Sequence, residues 1–179
     1  MNYAIVVATA RRKGEITLLN LMLRKFKMGR LTEKGGNSLT QQKSSIPSSF
    51  RQSLQARHLD CGSCNGCDWE LTALGNSFYD HQHFGIDFVA SPRHADLLMC
   101  TGPASTQLVM AAHETFEAMA KPKWVVAVGD CAVDGGVFKG AYASANGIGE
   151  VLPVDVKIPG CPPKPEDIIN ALLEFMGKR

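Results

Sequence analysis

No stretch of this 179-residue sequence contains the roughly 18 consecutive apolar residues that a membrane-spanning helix requires. An excess of one charge is also lacking, since the formal net charge is only +2, and this balance gives no indication of nucleic-acid binding. Hydrophobic residues nevertheless make up 45% of the chain, which is enough for a core. The sequence therefore predicts one compact domain with an extension, and no nucleic acid among its partners.

A recognisable export signal is lacking as well. The pair Arg11–Arg12 is reminiscent of a twin-arginine signal, but the apolar run precedes the pair and no small-residue cleavage site follows it. We therefore expect no signal peptide. A protein that is not exported stays in the cytosol, where thiols are kept reduced. The six cysteines are therefore better explained by metal or redox chemistry than by a disulfide framework.

Residues 1–53 are predicted to form an N-terminal amphipathic helix followed by an extended arm. In residues 15–30 the side chains of Leu19, Leu23 and Phe26 share one helical face. The basic residues of this segment lie in its second half: Arg24, Lys25, Lys27 and Arg30. Two interpretations remain open, a helix on an anionic membrane or a partner, and an ordinary surface helix. Residues 35–53 are polar and predict a linker or arm.

Residues 54–179 show the pattern of an α/β domain. Short apolar runs at residues 85–90, 96–102 and 123–130 predict strands, and residues 149–160 carry another extended segment. Helices are predicted at residues 105–120, with Ser105 or Thr106 as N-cap, and from Pro165 to the end of the chain. This alternation predicts a parallel sheet with helices on both faces.

The cysteines fall into three kinds of position. Cys61, Cys64 and Cys67 are each three residues apart, and no fourth cysteine follows nearby. Cys131 and Cys161 stand alone in predicted loops after strands, where open parallel sheets bind their ligands, so both are expected to converge with the triplet. Cys100 ends an apolar run and is interpreted as a buried packing residue.

Several kinds of cysteine site fit these spacings poorly. A zinc ribbon has two C-x2-C knuckles, and a bacterial ferredoxin run would require a cysteine where this chain has Leu71. A thioredoxin-type dithiol leaves Cys131 and Cys161 unexplained. The remaining option is one [4Fe–4S] cluster held by four thiolates from three loops, with glycines that allow close approach: Gly66, Gly135, Gly136 and Gly160. Equal spacing leaves open whether the triplet supplies Cys61 with Cys64 or Cys64 with Cys67.

Four ordered motifs, between His58 and Glu174, carry a resemblance to a known family: CGSCNGCDWE, SPRHADLLMCTGP, GDCAVDGGVF and LPVDVKIPGCPPKPE. They resemble the small iron–sulfur subunit of [NiFe]-hydrogenases, in particular of the membrane-bound, energy-converting group 4 that includes formate hydrogenlyase and CO-linked enzymes. They are also similar to the 20-kDa, B-type subunit family of respiratory complex I. The resemblance implies a flavodoxin-like α/β fold and an electron-transfer subunit that has no catalytic residues of its own.

The resemblance also implies a site and partners. The family motif assigns the ligands to Cys64, Cys67, Cys131 and Cys161. These four thiolates would bind the irons of a [4Fe–4S] cluster, the proximal one, which is the only cluster expected in this chain. Cys61 would then not be a ligand. The implied partners are a [NiFe] large catalytic subunit, a ferredoxin-like iron–sulfur subunit and integral membrane subunits. The expected location is peripheral, on the cytoplasmic side of the inner membrane. No role is assigned to Asp68 or Glu70 beyond that of acids near a helix N-terminus.

Two other hypotheses are kept. The first is the B-type subunit of a complex I-like NADH–quinone oxidoreductase, which passes electrons to quinone. Against it, complex I subunits carry two adjacent cysteines in the first motif, whereas this chain has Cys64-Asn65-Gly66-Cys67. The second is a non-redox zinc-binding module, which metal analysis separates from an iron–sulfur protein.

Overall fold

Five parallel strands form one sheet in the computed structural model, which describes residues 46–178. The strands are β1 (Leu54–Asp60), β2 (Ile86–Phe88), β3 (Leu97–Thr101), β4 (Trp124–Val128) and β5 (Val156–Ile158). Their spatial order is β2–β1–β3–β4–β5, which is the flavodoxin-like order and confirms the predicted fold class. From β1 the chain adds β2 on one side, and it then adds β3, β4 and β5 on the other side. The loop after β1 therefore lies at the position where this kind of fold binds its ligands.

Four helices accompany the sheet: α1 (Gly66–Ala73), α2 (Val109–Ala118), α3 (Asp130–Asp134) and α4 (Pro165–Phe175). Buried side chains divide into two groups, one for each face of the sheet. The first contains Leu71 of α1 and Ile168 of α4, and the second contains Ala112 of α2 and Ala132 of α3. Helices therefore cover both faces, as predicted.

The central strands are buried on both sides. In β4, Trp124, Val126 and Val128 belong to the first group of buried residues, and the alternate residues Val125 and Ala127 belong to the second. This alternation follows from the period of two in a strand, and it explains why β3 and β4 are recognisable as continuous apolar runs. Throughout residues 46–178, no helix is long and apolar enough to cross a membrane.

The predicted start of the second helix is wrong. The segment forms α2 only from Val109, and neither Ser105 nor Thr106 caps it. The Ser105 backbone N–H donates to the Cys61 carbonyl at 2.9 Å, and the Thr106 N–H donates to the Ala143 carbonyl at 2.9 Å. These contacts hold Ser105 and Thr106 in the loop before α2. The C-terminal helix does begin at Pro165, as predicted.

Three aromatic rings in a row join the end of the predicted arm to the core. The Phe50 ring meets the Trp124 ring edge-on at 5.3 Å, and Trp124 in turn meets Phe175 at 6.0 Å. Ile46 is also buried. The predicted amphipathic helix lies outside the described residues, and the boundary at residue 53 stays a prediction.

Candidate iron–sulfur site

The loop after β1 makes a sharp turn that separates Cys64 from Cys67. The Asp60 carboxylate accepts hydrogen bonds from the Gly62 N–H at 2.9 Å and the Ser63 N–H at 2.7 Å, which starts the turn. Asn65 then adopts a left-handed conformation with φ 66°, and α1 begins at the next residue. Cys64 is therefore exposed before the helix, whereas Cys67 is partly buried in its first turn.

Cys131 and Cys161 come from the neighbouring strands β4 and β5. The sequence predicts a loop for Cys131, but this residue lies in the short helix α3, which starts two residues after β4. Cys161 follows β5 in a loop, as predicted. Both side chains line one cavity of about 480 Å³, together with Pro159 and Val133. The carboxyl ends of parallel strands meet at one edge of the sheet, so both thiols lie at that edge with the loop after β1.

The four thiols lie close enough to affect one another. Burial raises the pKa of Cys67, the negative charges of Asp68, Cys131, Cys64 and Cys161 act in the same direction, and together they bring it to about 11. Burial also raises the pKa of Cys131, and Cys161 and Cys64 act in the same direction. Neighbouring thiolates thus disfavour ionisation of Cys67 and Cys131, which is the expected behaviour of thiols gathered without a cation between them.

Glycines leave room beside two of these sulfurs. Gly129 has φ 89°, and a Cβ added to it would stand 2.5 Å from the Cys67 Sγ. A Cβ added to Gly66 would stand 3.6 Å from the Cys64 Sγ. Only glycine allows the backbone to approach Cys67 this closely, because any other residue would overlap the sulfur. An all-thiol donor set with bare backbone next to it fits an iron–sulfur cluster.

Cys61 and Cys100 form a separate pair. Both are almost fully buried, at 1% and 0% exposure, in the second group of core residues. The Cys100 thiol donates a hydrogen bond to the Cys61 sulfur, which lowers the pKa of Cys61 and raises the pKa of Cys100. The prediction that Cys100 is a buried packing residue agrees with its position in β3. Cys61 is not among the thiols that act on Cys67.

Asp68 has a role that sequence analysis missed. Its Oδ1 accepts from the Thr101 hydroxyl at 2.8 Å and lies 3.0 Å from the His58 Nε2, and its Oδ2 accepts from the Ser63 hydroxyl. The carboxylate therefore ties the first turn of α1, directly beside Cys67, to β1, β3 and the preceding loop. Because Thr101 is 33 residues away, only the register of β1 against β3 brings this partner within reach.

Histidine, cysteine, aspartate and glutamate are the side chains that most often bind a single metal ion. In the part of the chain that the structure describes, no three of them are grouped closely enough to hold one. The four cysteines near the carboxyl ends of β1, β4 and β5 are likewise not grouped closely enough to bind a single metal ion.

Comparison with known proteins identifies the family. The family model described as NADH ubiquinone oxidoreductase, 20 Kd subunit, matches residues 64–175, from Cys64 to the end of α4. The members of this family are iron–sulfur redox subunits. The match confirms the resemblance that the four cysteine-bearing motifs indicated.

Individual relatives come from several oxidoreductase complexes. The chain is 41% identical to the probable membrane-bound hydrogenase subunit mbhJ of Pyrococcus furiosus over 121 residues, which is 68% of this chain and 72% of that protein. It is 46% identical to the B-type subunit of the NADH-quinone oxidoreductase of Geobacter metallireducens over 112 residues, which is 63% of this chain and 65% of that one. A chain from the structure of the archaeal membrane-bound sulfane sulfur reductase has a TM-score of 0.62, with 33% identity and 73% coverage of both chains.

Proposed function

We propose that this chain, which belongs to the NADH ubiquinone oxidoreductase 20 Kd subunit family, is the electron-transfer subunit of a membrane-bound [NiFe]-hydrogenase complex. In this proposal it holds one [4Fe–4S] cluster through the thiolates of Cys64, Cys67, Cys131 and Cys161, next to the catalytic centre of a large subunit. The observation that carries the proposal is the placement of these four cysteines in the segments that follow β1, β4 and β5, with Gly129 against the Cys67 sulfur.

The residues of the chain hold and insulate this site. A bound iron–sulfur cluster supplies one-electron storage between redox partners. Cys67 is partly buried, so its thiolate faces the protein interior, whereas Cys64 and Cys161 are exposed at the edge where a partner can approach. Gly129 lets the backbone lie against the Cys67 sulfur without a side chain between them. Asp68 fixes the turn that carries Cys67.

Exposed apolar side chains near the cysteines support a partner at this edge. Trp69, in the first turn of α1, is 72% exposed, and Val137, in the turn after α3, is 83% exposed. Large apolar groups of this kind mark interaction surfaces when they cluster. We assign this edge to the large catalytic subunit, with a ferredoxin-like iron–sulfur subunit and integral membrane subunits completing the complex.

The relatives support a location at a membrane. The relatives belong to membrane-bound complexes, and none of the helices within residues 46–178 could span a membrane. We propose peripheral attachment on the cytoplasmic side of the inner membrane, through the integral subunits.

A second candidate function is that of a B-type subunit that passes electrons to quinone. The 46% identity to the corresponding NADH-quinone oxidoreductase chain favours it. The spacing Cys64-Asn65-Gly66-Cys67 favours the hydrogenase, since complex I subunits carry adjacent cysteines in this motif. Purification of the native complex with a tag on this chain separates the two. A large subunit with two C-x2-C nickel motifs and bound nickel supports the hydrogenase, whereas a large subunit without them supports the quinone-linked function.

Single cysteine-to-alanine variants test the ligand set. Loss of Cys64, Cys67, Cys131 or Cys161 should abolish the [4Fe–4S] spectrum or leave a three-iron form, because each supplies one thiolate. Cys61→Ala and Cys100→Ala are the matched controls and should keep four irons and the paramagnetic resonance signal after reduction. Loss of the cluster in Cys61→Ala with retention in Cys67→Ala would reverse the assignment. Zinc in place of iron and acid-labile sulfide in the wild type would refute the redox function altogether.

A further inference from the structure

Asp130 connects the two loops that carry the single cysteines. It is the first residue of α3, between Gly129 and Cys131. Its backbone N–H donates to the Gly160 carbonyl at 2.9 Å, and its Oδ1 accepts from the Gly160 N–H at 2.7 Å. Both backbone groups of Gly160 are therefore bound to one residue. The link joins the position before Cys131 to the position before Cys161.

The Gly160 side of this link has little freedom to adapt. Gly160 has φ 139°, which favours glycine, and a Cβ there would stand 2.6 Å from the Cα of Pro163. The two prolines that follow Cys161 restrict the backbone further. The place of the Cys161 thiol relative to Cys131 therefore depends on the Asp130–Gly160 pair.

The hydrogen bond alone does not explain why the residue is an acid. An asparagine could accept the same bond from the Gly160 N–H through its side-chain oxygen. The carboxylate differs by its charge, which is carried by the residue directly before Cys131 and hydrogen-bonded to the residue directly before Cys161. A fixed negative charge repels any other negative charge added nearby, including an electron.

We propose that Asp130 is a positioning residue for the cluster, which holds the Cys131 and Cys161 loops together and lowers the cluster's reduction potential by its fixed negative charge. The inference rests on the function proposed above. Reduction of the cluster would take one electron from a redox partner in the complex, and the charge of the site would become more negative by one elementary charge. A carboxylate beside Cys131 makes that state less favourable than a neutral amide would.

Three variants of the intact complex separate the hydrogen bond from the charge. Asp130→Asn keeps the acceptor and removes the charge, and Asp130→Ala removes both. Asp87→Asn is the control, because it removes the same charge far from the proposed cluster. Asp87 is exposed and lies on β2, the outermost strand on the opposite side of the sheet from β5. Iron and acid-labile sulfide are measured for each, and the reduction potential is titrated by electron paramagnetic resonance.

Asp130→Asn should retain its iron and shift the reduction equilibrium about tenfold toward the reduced cluster, which is about 59 mV for one electron. Asp130→Ala should lose iron, and Asp87→Asn should match the wild type in both measurements. An Asp130→Asn potential equal to that of the wild type overturns the inference, as does full iron retention in Asp130→Ala. A wild-type complex without iron and sulfide would instead refute the proposed function, which distinguishes the two failures.

Discussion

Replacing Gly129 with alanine tests the close approach of backbone to sulfur at the proposed cluster site. Gly129 has φ 89° and ψ 155°, a region that is almost exclusive to glycine. The new Cβ would stand 2.5 Å from the Cys67 Sγ and 3.4 Å from the Gly160 carbonyl oxygen. The methyl group cannot be accommodated unless the Cys67 side chain or the backbone moves.

The cost has two parts. The unfavourable backbone conformation costs roughly 1–3 kcal/mol, and overpacking against a neighbour costs roughly 1–3 kcal/mol more. Gly140 provides a matched control, since it also has positive φ, at 78°, but a Cβ there would meet nothing within 4 Å. Gly140→Ala therefore carries a backbone cost without an overlap, and Gly129→Ala adds the overlap with the Cys67 sulfur.

Urea unfolding of the cluster-free chains measures the free energy difference, and iron per chain in the purified complex measures cluster retention. Gly129→Ala should be the less stable variant, by about 1–3 kcal/mol relative to Gly140→Ala, and should lose iron because the Cys67 thiol is displaced. Gly140→Ala should keep the iron content of the wild type. Equal stability and equal iron content in the two variants would refute the proposed role of this contact.

Two further predictions concern the domain around the site. The Lys178 ammonium donates to the Gln52 carbonyl at 3.2 Å and the Phe84 carbonyl at 2.5 Å. Lys178→Ala should cost about 1 kcal/mol in urea unfolding, whereas replacement of an exposed lysine such as Lys157 should cost less. Burial raises the pKa of Asp155, whose carboxylate accepts from the Val125 N–H at 2.8 Å. A raised folded-state pKa gives stability that is present below the ordinary carboxyl pKa and is lost as pH rises through the raised value. Asp155→Asn should therefore be more stable than the wild type at neutral pH and lose this advantage in acid, and an advantage independent of pH would contradict the reasoning.

Much of the fold is predictable because its signals are local. The central strands are buried on both faces, so they are continuous apolar runs, and Pro165 marks the start of α4. The strand β1 gives a weaker signal, because Gln55, Arg57 and His58 interrupt its apolar residues. The helix α3 has only five residues, too few for a helical period to be visible, and the sequence therefore predicts a loop at Cys131.

The cysteine-bearing motifs and the family are both recognisable from residue types and spacings along the chain. Equal spacing cannot distinguish the three neighbouring cysteines, because any two of them separated by two residues give the same pattern. The structure buries Cys61 against Cys100, a contact across β1 and β3 that no local spacing encodes. The partners of Asp68 and Asp130 are likewise set by strand register, since Thr101 and Gly160 lie 33 and 30 residues away in the chain. Residue types thus specified which groups are available for chemistry, and the parallel sheet decided which of them meet, because contacts between the ends of neighbouring strands depend on strand order and register.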